Sequence, residues 1–294
     1  METAEAHGAP GGDNRAGRPE NLGDLLARYG LRPRKELGQH FLTDPGILRK
    51  IVAAADLSAD DTVLEVGPGP GFLTRHLAGA AARVVAVELD AGMVALLRNE
   101  LAGWPGVTIV HGDILQLDPP RLIAATNVPR YIVVANLPYY ISSAAIRHLL
   151  EADPPPERLV LTLQQEVAQR IVAQPGDMSL LAVSVQFFGR PRIVARIPAG
   201  AFVPPPQVDS AVLRIDTFAL PPVAVPTRAG FFRVVKAGFS QKRKQLRNAL
   251  SAGLGLSVTE TVAGLEAAGV GPTRRAETLS LDEWAALARA FDRR

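Results

Sequence analysis

The chain has 294 residues, of which 47% are hydrophobic and 21% charged, with a formal net charge of +3 and no cysteine. That length suits one large domain and one small one, and the missing cysteine excludes disulfides, thiolate metal sites and a cysteine nucleophile. No apolar run approaches the ~18 residues of a membrane span, and the scattered histidines lack metal-ligand spacing, so a cytoplasmic enzyme without a metal is expected.

Residues 1–20 are mostly Gly, Ala, Asp, Glu and Arg without an apolar h-region, and read as a disordered leader. A short helix is predicted from Asn21 to Tyr29, followed by Gly38-Gln39-His40-Phe41-Leu42. Thr62 to Val66 reads as a buried parallel strand that runs into Gly67-Pro68-Gly69-Pro70-Gly71 and then a helical pattern from Phe72 to Leu77. Glycines at such a turn let the backbone bend sharply and approach a ligand.

A second strand, Arg83 to Val87, ends in Glu88, which lies 21 positions past Gly67 and suits a carboxylate gripping ribose hydroxyls. A third, Val107 to Val110, ends in His111-Gly112-Asp113. The apolar run Tyr131 to Val134 leads to Ala135-Asn136-Leu137-Pro138-Tyr139-Tyr140. The exocyclic amine of adenine is a poor nucleophile. Two acceptors, the Asn136 side-chain oxygen and a carbonyl of Leu137-Pro138, would localise its lone pair while Tyr139 stacks on the base. An ordinary strand-to-turn junction explains the hexapeptide equally well when it is taken alone.

Together the four strands place Gly67, Glu88, Asp113 and Asn136 at their carboxyl ends, where open α/β sheets bind ligands. The glycine spacing is G-x-G-x-G, and Phe72 stands where a dinucleotide fingerprint has its third glycine. This spacing favours S-adenosylmethionine over NAD and disfavours an NAD-dependent oxidoreductase. Later strands are predicted at Arg158 to Leu163, Leu180 to Phe188 and Ala211 to Ile215, the last two separated by a proline-rich loop. Alternating elements imply a mainly parallel sheet covered on both faces. Thr217 to Pro226 reads as a linker, and helical patterns at Ala229 to Ala252, Thr259 to Ala268 and Leu281 to Phe291 predict a small helical domain. The resulting division is a leader at 1–20, a catalytic domain at 21–216, a linker at 217–226 and a helical RNA-binding domain at 227–294.

Charge is unevenly placed. Residues 227–294 hold 12 Lys or Arg against 6 Asp or Glu, which leaves the preceding 226 residues at −3. Within the tail, Thr227 to Leu250 carries Arg228, Arg233, Lys236, Lys242, Arg243, Lys244 and Arg247 with no acid. A solvated helix face would be interleaved with Glu, so a phosphate-binding surface is the better reading.

Glu65 to Gly71, Asn136-Leu137-Pro138-Tyr139 and Phe202-Val203-Pro204-Pro205-Pro206-Gln207-Val208-Asp209-Ser210 resemble the ribosomal RNA adenine dimethyltransferase family. Gly38 to Leu42 and Phe239 to Asn248 extend the likeness, which spans roughly residues 30 to 290 and is nearest to the bacterial small-subunit (16S) branch. The resemblance implies a Rossmann-like methyltransferase sheet of seven strands, one of them antiparallel, with S-adenosylmethionine as cofactor. It implies that His40 and Leu42 contact the methionine end of the cofactor, Gly67 lies under it with Gly69 beside it, Glu88 holds the ribose, Asp113 meets the adenine and Asn136 borders both cofactor and target base. Many members have Asn where this chain has His40, and a backbone contact there would survive the change.

The same likeness implies a catalytic set of Asn136, Leu137, Pro138, Tyr139 and Phe202, the last sandwiching the target base with Tyr139 from a rigid surface loop. A core residue is a strong alternative for Phe202, but its neighbours Pro204 to Pro206 favour a rigid surface loop over a core strand. By resemblance the substrate is a pair of adjacent adenosines, each dimethylated, in a hairpin loop near the 3′ end of the small-subunit RNA, with a role in ribosome biogenesis. A monomer is expected. Two other readings are a methyltransferase of the resistance type acting on large-subunit (23S) RNA, and a non-catalytic assembly or transcription factor of the same fold. Such a factor would tolerate decay of Asn136 or Glu88, and both are intact.

Overall fold

The computed structural model describes residues 21–124 and 130–292, so the leader at 1–20 lies outside the described residues. In chain order the elements are α1 (Leu22–Arg28), β1 (Phe41–Leu42), α2 (Pro45–Ala55), β2 (Thr62–Val66), α3 (Phe72–Ala78), β3 (Arg83–Glu88), α4 (Ala91–Glu100), β4 (Val107–His111) and α5 (Pro119–Ala124). They continue with β5 (Ile132–Asn136), α6 (Ser142–Leu150), β6 (Arg158–Gln164), α7 (Gln165–Ile171), α8 (Leu180–Phe188), β7 (Gly189–Ile197), β8 (Phe202–Val203) and β9 (Ser210–Thr217). Four helices close the chain: α9 (Arg228–Phe239), α10 (Leu246–Leu254), α11 (Val258–Ala267) and α12 (Leu281–Ala290).

Seven strands form one sheet in the order β4-β3-β2-β5-β6-β9-β7. β9 runs antiparallel to both β6 and β7, whereas the other pairs are parallel, so the sheet is mainly parallel with one reversed strand, as expected. Strand pleating sends alternate residues to opposite faces. Val63 packs with Leu48 and Ile51 of α2 and Leu73 and Leu77 of α3, whereas its neighbour Leu64 joins the core under Ile146 and Leu149 of α6.

The register fixes what the sheet presents. Val66 is paired with Val87 on one side and Ala135 on the other, and Glu88 with His111, so the ends of β2, β3, β4 and β5 share one edge.

Two expectations fail. Leu180 to Phe188, predicted as a strand, is helix α8, with the Ser179 hydroxyl accepting from the Ala182 N–H at 3.1 Å as its N-cap. The helix carries apolar residues on two faces, because Val185 enters the sheet core while Ala182, Val183 and Phe187 enter the core of the C-terminal helices. A helix buried on two sides loses the 3.6-residue pattern that marks it. The strand lies just beyond, at β7, an edge position that tolerates Pro191.

The single helix expected over Ala229 to Ala252 is α9 and α10 with a turn between them. Three adjacent cations, Lys242, Arg243 and Lys244, occupy that turn. The first N–H groups of α10 find partners outside the helix: Leu246 donates to the Arg274 carbonyl at 2.8 Å and Arg247 to that of Pro272 at 3.2 Å.

Candidate active site and cofactor cleft

Gly67, Gly69 and Gly71 all adopt positive φ, at 67°, 55° and 85°. A Cβ on Gly69 would stand 2.8 Å from the Phe41 ring, so this turn requires glycine on both conformational and steric grounds. The turn opens onto a cleft of about 240 Å³ at the shared strand edge.

Of the residues singled out in the sequence, His40, Gly67, Gly69, Glu88, Asp113, Asn136, Leu137, Pro138 and Tyr139 all line this cleft. Leu42 does not. It is buried in β1 and borders a second, smaller cavity of about 30 Å³ together with Gly67 and Asn136.

Phe202 corrects the sequence reading more sharply. Its side chain is 2% exposed, pairs in β8 with Leu42 and packs in the core with Leu48 and Val212. The ladder alternation turns Val203 outward instead, at 47% exposure. The prolines around it therefore do not lift the ring to the surface, because a two-residue pairing with β1 draws it inward, where its burial is favourable.

Glu88 ends β3 with a nearly buried carboxylate. Oε2 accepts from the Gly69 N–H at 3.1 Å and Oε1 from the Asp90 N–H at 2.8 Å. Burial raises its pKa, and these backbone bonds to the charged form pull it back. Each oxygen retains a lone pair, so the carboxylate can still accept from a ligand hydroxyl. Asp113 receives the Leu115 N–H at 2.9 Å, a local turn that aims the strand end at the cleft.

The Asn136 amide is oriented by its neighbour. Nδ2 donates to the His40 carbonyl at 3.0 Å. A carbonyl only accepts, so the nitrogen is identified and Oδ1 is left as an acceptor at the cleft wall. Tyr139 is held by a 2.7 Å bond between its hydroxyl and that of Ser210. Burial raises the Tyr139 pKa, and the Ser210 bond opposes that shift.

The segment before β1 straps the cleft. The Arg34 N–H donates to Gln39 Oε1 at 2.8 Å, and Gln39 Nε2 and Arg34 Nη1 reach Asp90 Oδ2 at 3.3 and 3.4 Å. Asp90 in turn caps α4 and donates its own N–H to Glu88, so strap and carboxylate share one node. The sequence reading assigned no role to Gln39 or Asp90. It also passed over Glu65, which is fully buried with Oε2 lacking a partner among the described residues. Burial, reinforced by the charge of Glu88 and opposed by the Thr74 hydroxyl, pushes its pKa up to about 8.

Among the described residues no cluster of acids and histidines could hold a metal, and no helix is long and apolar enough to cross a membrane. The cations proposed for RNA lie on α9, on α10 and in the turn between them. Lys236, Lys242, Arg243, Lys244 and Arg247 are exposed, and none pairs with an acid among the described residues. Arg233 differs, because its Nη2 donates to the Phe291 carbonyl at 2.9 Å and caps the end of α12.

A glycine-floored cleft with a nearly buried carboxylate, a second acid and an oriented Asn is the donor set expected for a nucleoside cofactor. The sequence model of the family described as ribosomal RNA adenine dimethylase matches residues 30–292. The chain belongs to this family.

Ribosomal RNA small subunit methyltransferase A from Dehalococcoides mccartyi (strain 195) is 48% identical over 264 residues, 89% of each chain. The protein of the same name from Geobacillus thermodenitrificans is 42% identical, covering 93% of this chain and 96% of its own length. Among solved structures, a dimethyladenosine transferase from Plasmodium falciparum superposes with a TM-score of 0.72 at 25% identity over 86% of this chain and 98% of its own. The 23S rRNA methyltransferase ErmE superposes with a TM-score of 0.66 at 30% identity over 86% and 99%. The family member described here is thus an S-adenosylmethionine-dependent ribosomal RNA adenine methyltransferase with a Rossmann-like sheet and a helical C-terminal region.

Proposed function

We propose that this enzyme dimethylates the N6 amines of two adjacent adenosines in a hairpin loop near the 3′ end of 16S rRNA, within the small ribosomal subunit, as a step of ribosome biogenesis. The observation that carries the reading is the Asn136 amide, whose nitrogen is committed to the His40 carbonyl and whose oxygen is left free at the cleft.

An adenine that leaves its stack and enters beside Tyr139 would donate one amine hydrogen to Asn136 Oδ1 and the other to a carbonyl of the Leu137-Pro138 segment. Both bonds strengthen as the amine nitrogen becomes the attacking atom, so they favour the transition state over the ground state. S-adenosylmethionine supplies a sulfonium-bound methyl group with a neutral sulfur as leaving group. Gly67 and Gly69 would give the backbone close approach to it, with the His40 backbone at its methionine end, Glu88 at the ribose and Asp113 at the adenine, all of them lining the cleft from which Leu42 is absent. The protein's task is alignment and water exclusion. The amine proton becomes acidic only on methylation and leaves to solvent.

In this reading 21–216 is the catalytic domain, 217–226 the connection, and 227–294 the RNA-binding domain, where Lys236, Lys242, Arg243, Lys244 and Arg247 meet phosphates. Arg233 contributes chiefly its charge, since one donor is spent on Phe291. The residues that line the cleft come from one chain, which supports a monomer, and a ribosomal substrate supports a cytoplasmic location. Incubation with labelled cofactor and unmethylated small subunits, followed by nucleoside analysis, should give dimethyladenosine at two adjacent positions. Label in large-subunit RNA alone would overturn the assignment in favour of the resistance-type activity.

A further inference from the structure

His40 stands at a junction of three segments, and its two halves face different partners. Its carbonyl is occupied by Asn136. Its ring stacks on Tyr139, with centroids 5.8 Å apart and planes inclined by 22°, while Nδ1 lies 2.8 Å from the Pro204 carbonyl. Since that carbonyl only accepts, Nδ1 carries the proton and the bond fixes the ring plane.

On the far end of Tyr139, its hydroxyl is 2.7 Å from Ser210 Oγ, a fully buried residue paired with Gln164 and Ile197 in the sheet. A tyrosine side chain has two main rotatable bonds. Here its backbone is set by the turn after β5, its tip by Ser210 and one ring face by His40.

We infer that His40 and Ser210 form a clamp on Tyr139 and are positioning residues for the target base, so that the His40 imidazole serves the RNA side of the cleft and only its backbone serves the cofactor side. The inference rests on the proposed role of Tyr139 as the stacking platform. The clamp leaves the opposite ring face as the stacking surface and holds it before the base arrives, which lowers the ordering cost of binding. It also ties the strap, the Asn136 turn and the proline loop together through one imidazole.

The test uses the full chain with unmethylated small subunits and compares Ser210→Ala, Tyr139→Phe, their double variant, His40→Asn and Tyr139→Ala. Cofactor affinity is read by calorimetry, folding by melting temperature, and turnover as separate KM and kcat. Ser210→Ala and Tyr139→Phe remove the same bond from opposite ends. Each should raise KM for the subunit about threefold to tenfold, and the double variant should be no worse than the poorer single.

His40→Asn keeps the carbonyl that Asn136 uses. It should leave cofactor affinity within about twofold while raising the subunit KM and the fraction of monomethylated product. A tenfold loss of cofactor affinity in His40→Asn with the subunit KM unchanged would overturn the clamp, as would fully additive effects of Ser210→Ala and Tyr139→Phe. Tyr139→Ala separates the two levels of the argument. If it is impaired while Ser210→Ala and His40→Asn match the parent, the clamp fails and the platform stands. If Tyr139→Ala itself matches the parent, the platform reading fails first.

Discussion

Glu88 accepts the Gly69 N–H through Oε2 at 3.1 Å, so the acid at the end of β3 is also a strut of the glycine turn at the end of β2. Removing it would both delete a ligand acceptor and free the turn on which the cofactor is to rest. Glu88→Ala should therefore raise the cofactor dissociation constant at least roughly tenfold, from the ~1.5 to 3 kcal/mol of a hydrogen bond to a charged group. Titration calorimetry checks this, and an unchanged constant would remove Glu88 from the site.

Asn136→Ala takes away the acceptor at the reacting amine together with the tie to the His40 carbonyl, while Glu88, Asp113 and the glycine turn stay in place. Turnover at saturating substrate should fall about a hundredfold, corresponding to ~3 kcal/mol of transition-state stabilisation, while cofactor binding stays measurable. Single-turnover methylation assays separate the chemical step from product release. Nearly normal turnover would sink the catalytic assignment.

Glu65 carries a pH signature. Its carboxyl is held to about 8 in the folded protein by burial, against an unfolded value near 4.5. The folded state thus binds the proton more tightly, and Glu65 favours folding most at acid pH. That contribution is lost as pH rises through the interval between the two values. Glu65→Gln, neutral throughout, should flatten the decline in melting temperature of the cofactor-free protein from pH 5 to pH 8. Parallel curves for the two proteins would show that Glu65 is not protonated in the folded state.

Neutralising Lys242, Arg243, Lys244 and Arg247 together should weaken binding to small subunits and flatten its salt dependence. Each lost phosphate contact removes ~0.9 from the slope of log affinity against log salt on a duplex and ~0.7 on a single strand. Cofactor affinity should not move, since these side chains lie away from the cleft. An unchanged slope in a variant with normal melting temperature would leave the basic turn without this role.

The strand ends were legible in the chain because a buried parallel strand announces itself as a short apolar run, and whatever follows it stands at one edge of the sheet. Gly67, Glu88, Asp113 and Asn136 are local features of that kind, and all four line the cleft. Folding alone brought Asp90 under Gln39 of the strap, set His40 against Tyr139 and placed Ser210 behind it, across separations of 51 to 71 residues for the hydrogen-bonded pairs. Phe202 and α8 were misread for a related reason. An apolar side chain or run states only that it will be buried, and whether it meets a sheet, a helix or a ligand depends on which surface reaches it in three dimensions. Phe202 met the core beneath β1, and α8 met a hydrophobic surface on each side.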